Sequence, residues 1–255
     1  MHSKPRSVPT ANRRPIKVAT FALNTQECCA TSVRHFRSAA AVRRTLPRMN
    51  SVFALKGCAA EHLQSYVEPN SPRAFRAYDR LGDADRLGPL DALAPGLLDA
   101  PVRRADVVRM FSTDESPFTK LRVAMQDLLD ATNPTEPSFA DLDLEDPAGP
   151  WGLMSAVLLL SDNTPGLKAS KVTKMLHRKR PELAPIFDSK VAAFYGETAR
   201  KPSLLWPKLQ HDLRENHDQL AHLADGVVTP DGRQISLLRV LDIVVWEHVV
   251  TDCRR

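Results

Sequence analysis

The chain has 255 residues and an apolar fraction of 43%, enough for one large or two small cores, and no apolar run nears the length of a membrane span. The net charge of +5 is unevenly spread. Residues 1–50 carry ten Lys or Arg against one acid, Glu27, a balance of +9 that leaves −4 for the rest. The basicity belongs to the N-terminal stretch, and the body lacks the global positive charge usual for a nucleic-acid-binding domain.

In chain order, residues 1–48 are Arg-rich, poor in acids and without sustained periodicity. They read as a disordered basic arm, as a transit-like segment, or as an extension upstream of a true start at Met49. The last is preferred, because organised sequence begins only after it. Residues 49–255 are then a single all-helical domain, with a division into two lobes expected near 133–150. Ala59 to Val67 predicts a short helix. Ser71-Pro72 supplies an N-cap with Pro at N1, and the helix continues through Leu81. Gly82 and Gly88-Pro89 interrupt, and a short helix is broken around Pro95. Arg104 to Phe111 has an apolar face of Val107, Val108 and Phe111. Ser116-Pro117 repeats the cap signal before Lys120 to Ala131, whose Leu121, Met125, Leu128 and Leu129 share a face.

Asn133 to Pro150 is acidic, holds four prolines and predicts a loop. Trp151 to Leu160 predicts an apolar helix leading into the stretch on which the reading turns, Thr164 to Val191. There Pro165-Gly166 is a turn dipeptide. Ala169 to Lys179 is a helix with Val172, Met175 and Leu176 on one face, and Pro181 and Pro185 forbid its continuation. Asp188 stands where an N-cap opens a helix running to Tyr195 and ended by Gly196. Leu204 to Leu223 is helical, interrupted or begun near Pro207. TPDGR at 229–233 is a tight turn. Ile235 to Val250 is a strongly apolar helix with Leu238, Leu241, Val245 and Val249 on one face. The fold class is all-α, a bundle of about eight to ten helices, with strand character at most at Gly226–Thr229.

The order Pro165-Gly166-Leu167-Lys168, helix, Pro185-Ile186-Phe187-Asp188 resembles the helix–hairpin–helix DNA glycosylase superfamily. The resemblance implies a glycosylase-like fold, Asp188 as the catalytic carboxylate and the hairpin as a DNA phosphate contact. Ser170 falls where bifunctional members carry a Schiff-base Lys, which implies a monofunctional hydrolase if catalysis is retained. Lys168 replaces the second hairpin Gly, at a backbone cost of roughly 1 kcal/mol if its φ were positive. Over most of residues 70–250 the chain also looks like a family of uncharacterised actinobacterial proteins. That likeness rests on Lys179-Arg180-Pro181 through Asp188 and on Ile235 through Trp246, and implies a bacterial cytosol but no known activity.

Each candidate has a structural reading beside the functional one. Asp188 either stabilises an oxocarbenium-like centre or caps the following helix, and both can hold together. Lys168, Lys171, Lys174 and Arg178, with Gly166 and Ser170, either follow nucleic-acid phosphates or form a solvated face balanced by the acidic 141–146 loop. Arg239, Asp242 and Trp246 are read as a rim pair beside a core Trp rather than as pocket groups. Cys28, Cys29, Cys58 and Cys253 show no C-x-x-C and no paired Cys/His spacing for zinc, and no disulfide framework, which fits a reducing cytoplasm. His211, His217 and His222 fall on different helix faces. No metal and no cofactor is therefore expected, and DNA is the expected partner. The alternative is a non-enzymatic helical protein of the same fold acting in protein interaction or structure.

Overall fold

The structure is a computed structural model, and it describes residues 51–55, 57–80, 82–198 and 202–251. The N-terminal extension expected over residues 1–48 lies outside them. Among the described residues the chain is all-helical, with eleven α-helices and four 3-10 turns. The helices are α1 Ala59–Val67, α2 Phe75–Tyr78, α3 Pro89–Leu93, α4 Arg104–Met110, α5 Pro117–Ala131, α6 Pro150–Asp162, α7 Ala169–Lys179, α8 Ser189–Phe194, α9 Trp206–Glu215, α10 His217–Ala224 and α11 Leu237–Thr251. The only extended pairing among them is an isolated bridge between Val228 and Gln234.

The expected boundaries hold best where local signals are strong. Ser116 caps α5 by accepting from Thr119 N, and Leu121, Met125, Leu128 and Leu129 are all buried. α7 has the expected bounds, and the turn before it places Gly166 at φ +77°. Lys168 has φ −82°, so this position carries no left-handed strain.

Three expectations are corrected. The helix after Ser71-Pro72 spans only Phe75–Tyr78, because Tyr78 and Asp79 are tied to other elements: Tyr78 Oη donates to Lys174 O at 2.6 Å, and Asp79 meets Arg239. The stretch from Leu204 splits at Asn216, whose side chain donates to Asp212 O and leaves helical geometry, so eleven helices stand where eight to ten were expected. On α4 the buried apolar residues are Val107 and Met110, Asp106 is buried beside them, and Val108 is exposed. One close approach fixes a residue type: a Cβ on Gly152 would lie 2.1 Å from Pro147 O, so α6 can begin against its own loop only with glycine there.

One connected apolar core draws on helices from both sides of the 133–150 loop, whose Phe139 is itself fully buried. α11 packs against α1, α8, α9 and α10, and α7 packs against α3, α6 and the Ala94–Leu98 turn. α11 is therefore buried nearly all round. Its polar residues Arg239, Asp242 and Glu247 are buried with it and need partners.

Candidate functional site

The middle of α7 and the start of α8 meet through Lys174 and Asp188. Pro181 and Pro185 stop the helix after Lys179 and turn the chain back, which sets Asp188 at the N-cap of α8 with its backbone extended. Asp188 Oδ1 accepts from Lys190 N at 2.9 Å. Asp188 Oδ2 accepts from Lys174 Nζ at 3.0 Å. The Lys174 ammonium is almost fully buried and also donates to Leu98 O at 2.8 Å. The two oxygens of this carboxylate are engaged separately: one caps the helix, and the other is held by a cation beside a cavity.

That cavity has a volume of about 400 Å³ and is lined by Asp188, Lys174, Asp242, Arg239, Tyr66 and Trp246 among others. The volume lies within the range of small-molecule sites. An ionic cluster centred on Arg239 of α11 borders it. Arg239 grips Asp79 with two parallel bonds of 2.8 and 2.9 Å, donates to Tyr66 Oη at 3.0 Å, and reaches Asp242 with its remaining amino group. Its guanidinium lies over the rings of Tyr66 and Tyr78, 5.2 Å from each centroid. Burial opposes charge on Arg239, but Asp79, Tyr66 and Asp242 together outweigh it and keep the group cationic. Burial pushes the Asp242 carboxyl up to about 6, with Asp188 adding to the rise and Arg239 and Lys174 pulling against it. The cavity therefore holds two carboxyl groups in different settings, one paired with an ammonium and one paired with a buried guanidinium and raised to about 6.

Its walls are partly aromatic. Tyr66 and Trp246 meet edge to face at 6.5 Å. Arg73 lies over the Trp246 ring at 4.8 Å and pairs with the buried Glu247 at 2.6 Å. Arg73 and the exposed Lys190 stand on the rim.

Of the seven residues proposed from sequence, Lys174 and Asp188 line this cavity. Ser170 and Lys171 stand about one turn along α7 from Lys174, Gly166 and Lys168 lie in the turn before the helix, and none of the four lines the cavity. There Lys168 Nζ donates to Asp162 O and Lys171 Nζ to Gly166 O. Arg178 pairs with Asp91, as does Lys179, whose ammonium lies 2.9 Å from Asp91 Oδ2. The basic run of α7 is thus mostly inside: Lys174, His177 and Lys179 are buried, and Arg180 is fully so. Arg180 ties the loop before α3 to the end of α5, donating to Ala84 O at 2.7 Å and to Thr132 Oγ1 at 2.9 Å.

Sequence reasoning set aside Arg239, Asp242 and Trp246 as a helix rim, and all three line the cavity. The available signal was a helix apolar on every side that still carried Arg and Asp three residues apart. Such a helix must be central, and its charges must face a partner or an opening. Tyr66 and Arg73 gave no comparable signal.

A second cluster was also missed. Cys58, His62 and His248 bring their ligand-type atoms within 4.8 Å of one another. Cys58 is disulfide-bonded, against the expectation of free thiols. Burial, then His248, lowers the pKa of His62.

The chain belongs to a family of unknown function, DUF6308, which matches residues 59–249. Both stretches that suggested an uncharacterised family, Lys179 to Asp188 and Ile235 to Trp246, fall inside the match. They also meet in space: Ser236 Oγ donates to Pro181 O at 3.0 Å, and Asp188 and Asp242 line the same cavity. No curated protein and no solved structure matches the chain. No described helix is long and apolar enough to cross a membrane.

Proposed function

We propose that the protein binds nucleic acid and takes one unstacked base into the cavity between Trp246 and Asp188, as a relative of the monofunctional helix–hairpin–helix DNA glycosylases. The observation that supports this most is the cavity itself. It joins a lysine-held carboxylate, a carboxyl that titrates near neutrality and an aromatic wall, in a space the size of a small planar ligand. In this reading Asp188 stabilises positive charge as it develops on the sugar, and Asp242 supplies a proton to the departing base. Water then bonds to the sugar carbon and gives up a proton that restores the Asp242 carboxyl, which completes the hydrolysis. Trp246 offers a ring face or edge to the base, and Arg73 and Lys190 meet the flanking phosphates.

The test is base release from a panel of duplexes carrying deaminated, alkylated, oxidised or mismatched bases, measured for the native chain and for Asp188→Asn. The reading expects release from at least one member and its loss in Asp188→Asn. Release that survives this substitution removes Asp188 from the catalytic role.

One observation favours a second reading, a non-enzymatic helical protein of the same fold. The cations of α7 are engaged internally: Lys174 with Asp188, Lys171 with Gly166 O, and Arg178 and Lys179 with Asp91. In that case no member of the panel loses a base, and Asp188→Asn alters stability alone.

A further inference from the structure

α1 and α11 pack together, and on the shared side they carry two pairs of rings: Tyr66 with Trp246 beside the cavity, and His62 with His248 one turn away along α1. The second pair is joined by Cys58, the N-cap residue of α1. Cys58 and His62 are four residues apart, so their side chains rise from one side of the helix start. His248 comes from the last turn of α11, and its ring lies 6.1 Å from that of His62.

We propose that Cys58, His62 and His248 form a zinc site when Cys58 is reduced, clamping α1 to α11. The three ligand atoms already lie within 4.8 Å of one another. A tetrahedral zinc ion with bonds of about 2.0–2.3 Å needs its ligands about 3.3–3.8 Å apart, a contraction of roughly 1 Å. That contraction falls on the side chains of Cys58, His62 and His248. Two nitrogens and one sulfur suit zinc among the common divalent ions. Phe194 meets His248 edge-on at 5.9 Å, which gives the site an apolar neighbour. Cys58 and His62 are both buried.

The disulfide at Cys58 makes the site redox-dependent. A reductant of the dithiol class delivers two electrons to the S–S bond and is itself oxidised to a disulfide, and its two protons pass to the released sulfurs. Binding of Zn²⁺ then displaces the proton from the Cys58 thiol to solvent. The imidazoles ligate in their neutral form. The site is independent of the nucleic-acid reading.

The test uses the untagged full chain, reduced with an excess of dithiol, desalted without oxygen and titrated with Co²⁺ as a spectroscopic stand-in. The expected result is one equivalent bound, with the ligand-field bands of a four-coordinate ion and a thiolate-to-metal charge-transfer band. Zn²⁺ should displace the cobalt. Cys58→Ser should lose the charge-transfer band, and His62→Asn with His248→Asn should weaken Zn²⁺ binding by roughly a hundredfold or more against a chromogenic chelator. The oxidised chain should bind neither ion at this site. If the reduced native chain shows no charge-transfer band, or if oxidised and reduced chains bind alike, the site does not exist as described. This reading of the native chain stands whether or not the histidine variants fold.

Discussion

Lys174 Nζ lies 3.0 Å from Asp188 Oδ2 and 2.8 Å from Leu98 O, so one buried ammonium joins α7, the cap of α8 and the turn after α3. This contact turns a run of basic residues into architecture. A lysine meant to meet phosphate would project into water, whereas this one fixes a carboxylate at the mouth of a cavity.

Replacing Lys174 with Met should therefore cost more stability than replacing Asp188 with Asn. The first leaves a half-buried carboxylate without its cation and Leu98 O without its donor, about 3 kcal/mol. The second keeps an oxygen for the Lys190 amide and for the ammonium, and should cost about 1–2 kcal/mol. Urea unfolding of both variants gives the comparison. Equal losses would mean that Asp188 matters mainly as a cap.

Asp242 makes stability depend on pH in a defined direction. Its folded pKa is raised to about 6, so the neutral form is favoured by the fold. The native state then binds more protons than the unfolded state between about pH 4 and 6, and stability falls as pH rises through that window. The contribution is fully present below about pH 4 and lost above about pH 6. Relative to Asp242→Asn, the native chain should lose about 2 kcal/mol on going from pH 4 to pH 6.5, read as the difference between the two melting curves. A constant difference across that range would place the Asp242 titration outside it.

Arg239 should resist even a charge-conserving change. Lysine cannot reproduce the two-pronged contact with Asp79 together with the bonds to Tyr66 and Asp242. Arg239→Lys should cost about 2–3 kcal/mol and Arg239→Met about 3–5 kcal/mol. By contrast, Lys120→Ala removes an exposed pair with Glu115 and should change stability by less than about 1 kcal/mol.

Gly152→Ala should destabilise the start of α6 by more than about 2 kcal/mol, since the added carbon would sit 2.1 Å from Pro147 O and must push backbone away. The same change at Gly57, where a Cβ meets nothing within 4 Å, should be mild. Thermal melts of the two variants separate a steric requirement from a general dislike of alanine.

Most of the helices were legible in the sequence because their ends carry explicit chemistry: Ser116-Pro117 opening α5, Pro165-Gly166 before α7, Asp188 before α8 and Gly196 after it. Asp188 was legible for the same reason, as a cap that also follows a proline turn. The cavity was not, because its residues come from six separate stretches. Tyr66 sits on α1, Arg73 before α2, Lys174 on α7 and Trp246 on α11, and no local pattern signals that they converge. The buried state of Lys174 and Arg180 was equally hidden, since a helix rich in Lys and Arg looks solvated until its partners, Asp188, Leu129 O and Thr132, are placed around it. The Cys58–His62 spacing was present in the sequence, and His248, which completes the cluster, lies 186 residues further on.

The most direct measurement of the central claim is a titration of the full chain into an oligonucleotide carrying a single fluorescent purine opposite a mismatch, at two salt concentrations, for the native chain and for Trp246→Ala and Lys190→Glu. Residues 1–48 are identical in all three, so differences report on the cavity and its rim. A base seated against Trp246 gives a change in purine fluorescence that Trp246→Ala abolishes, with affinity reduced by about tenfold or more. Lys190→Glu should flatten the salt dependence by about one phosphate contact. Binding that is the same in all three proteins, with no fluorescence change tied to Trp246, would contradict the claim that this cavity receives a base.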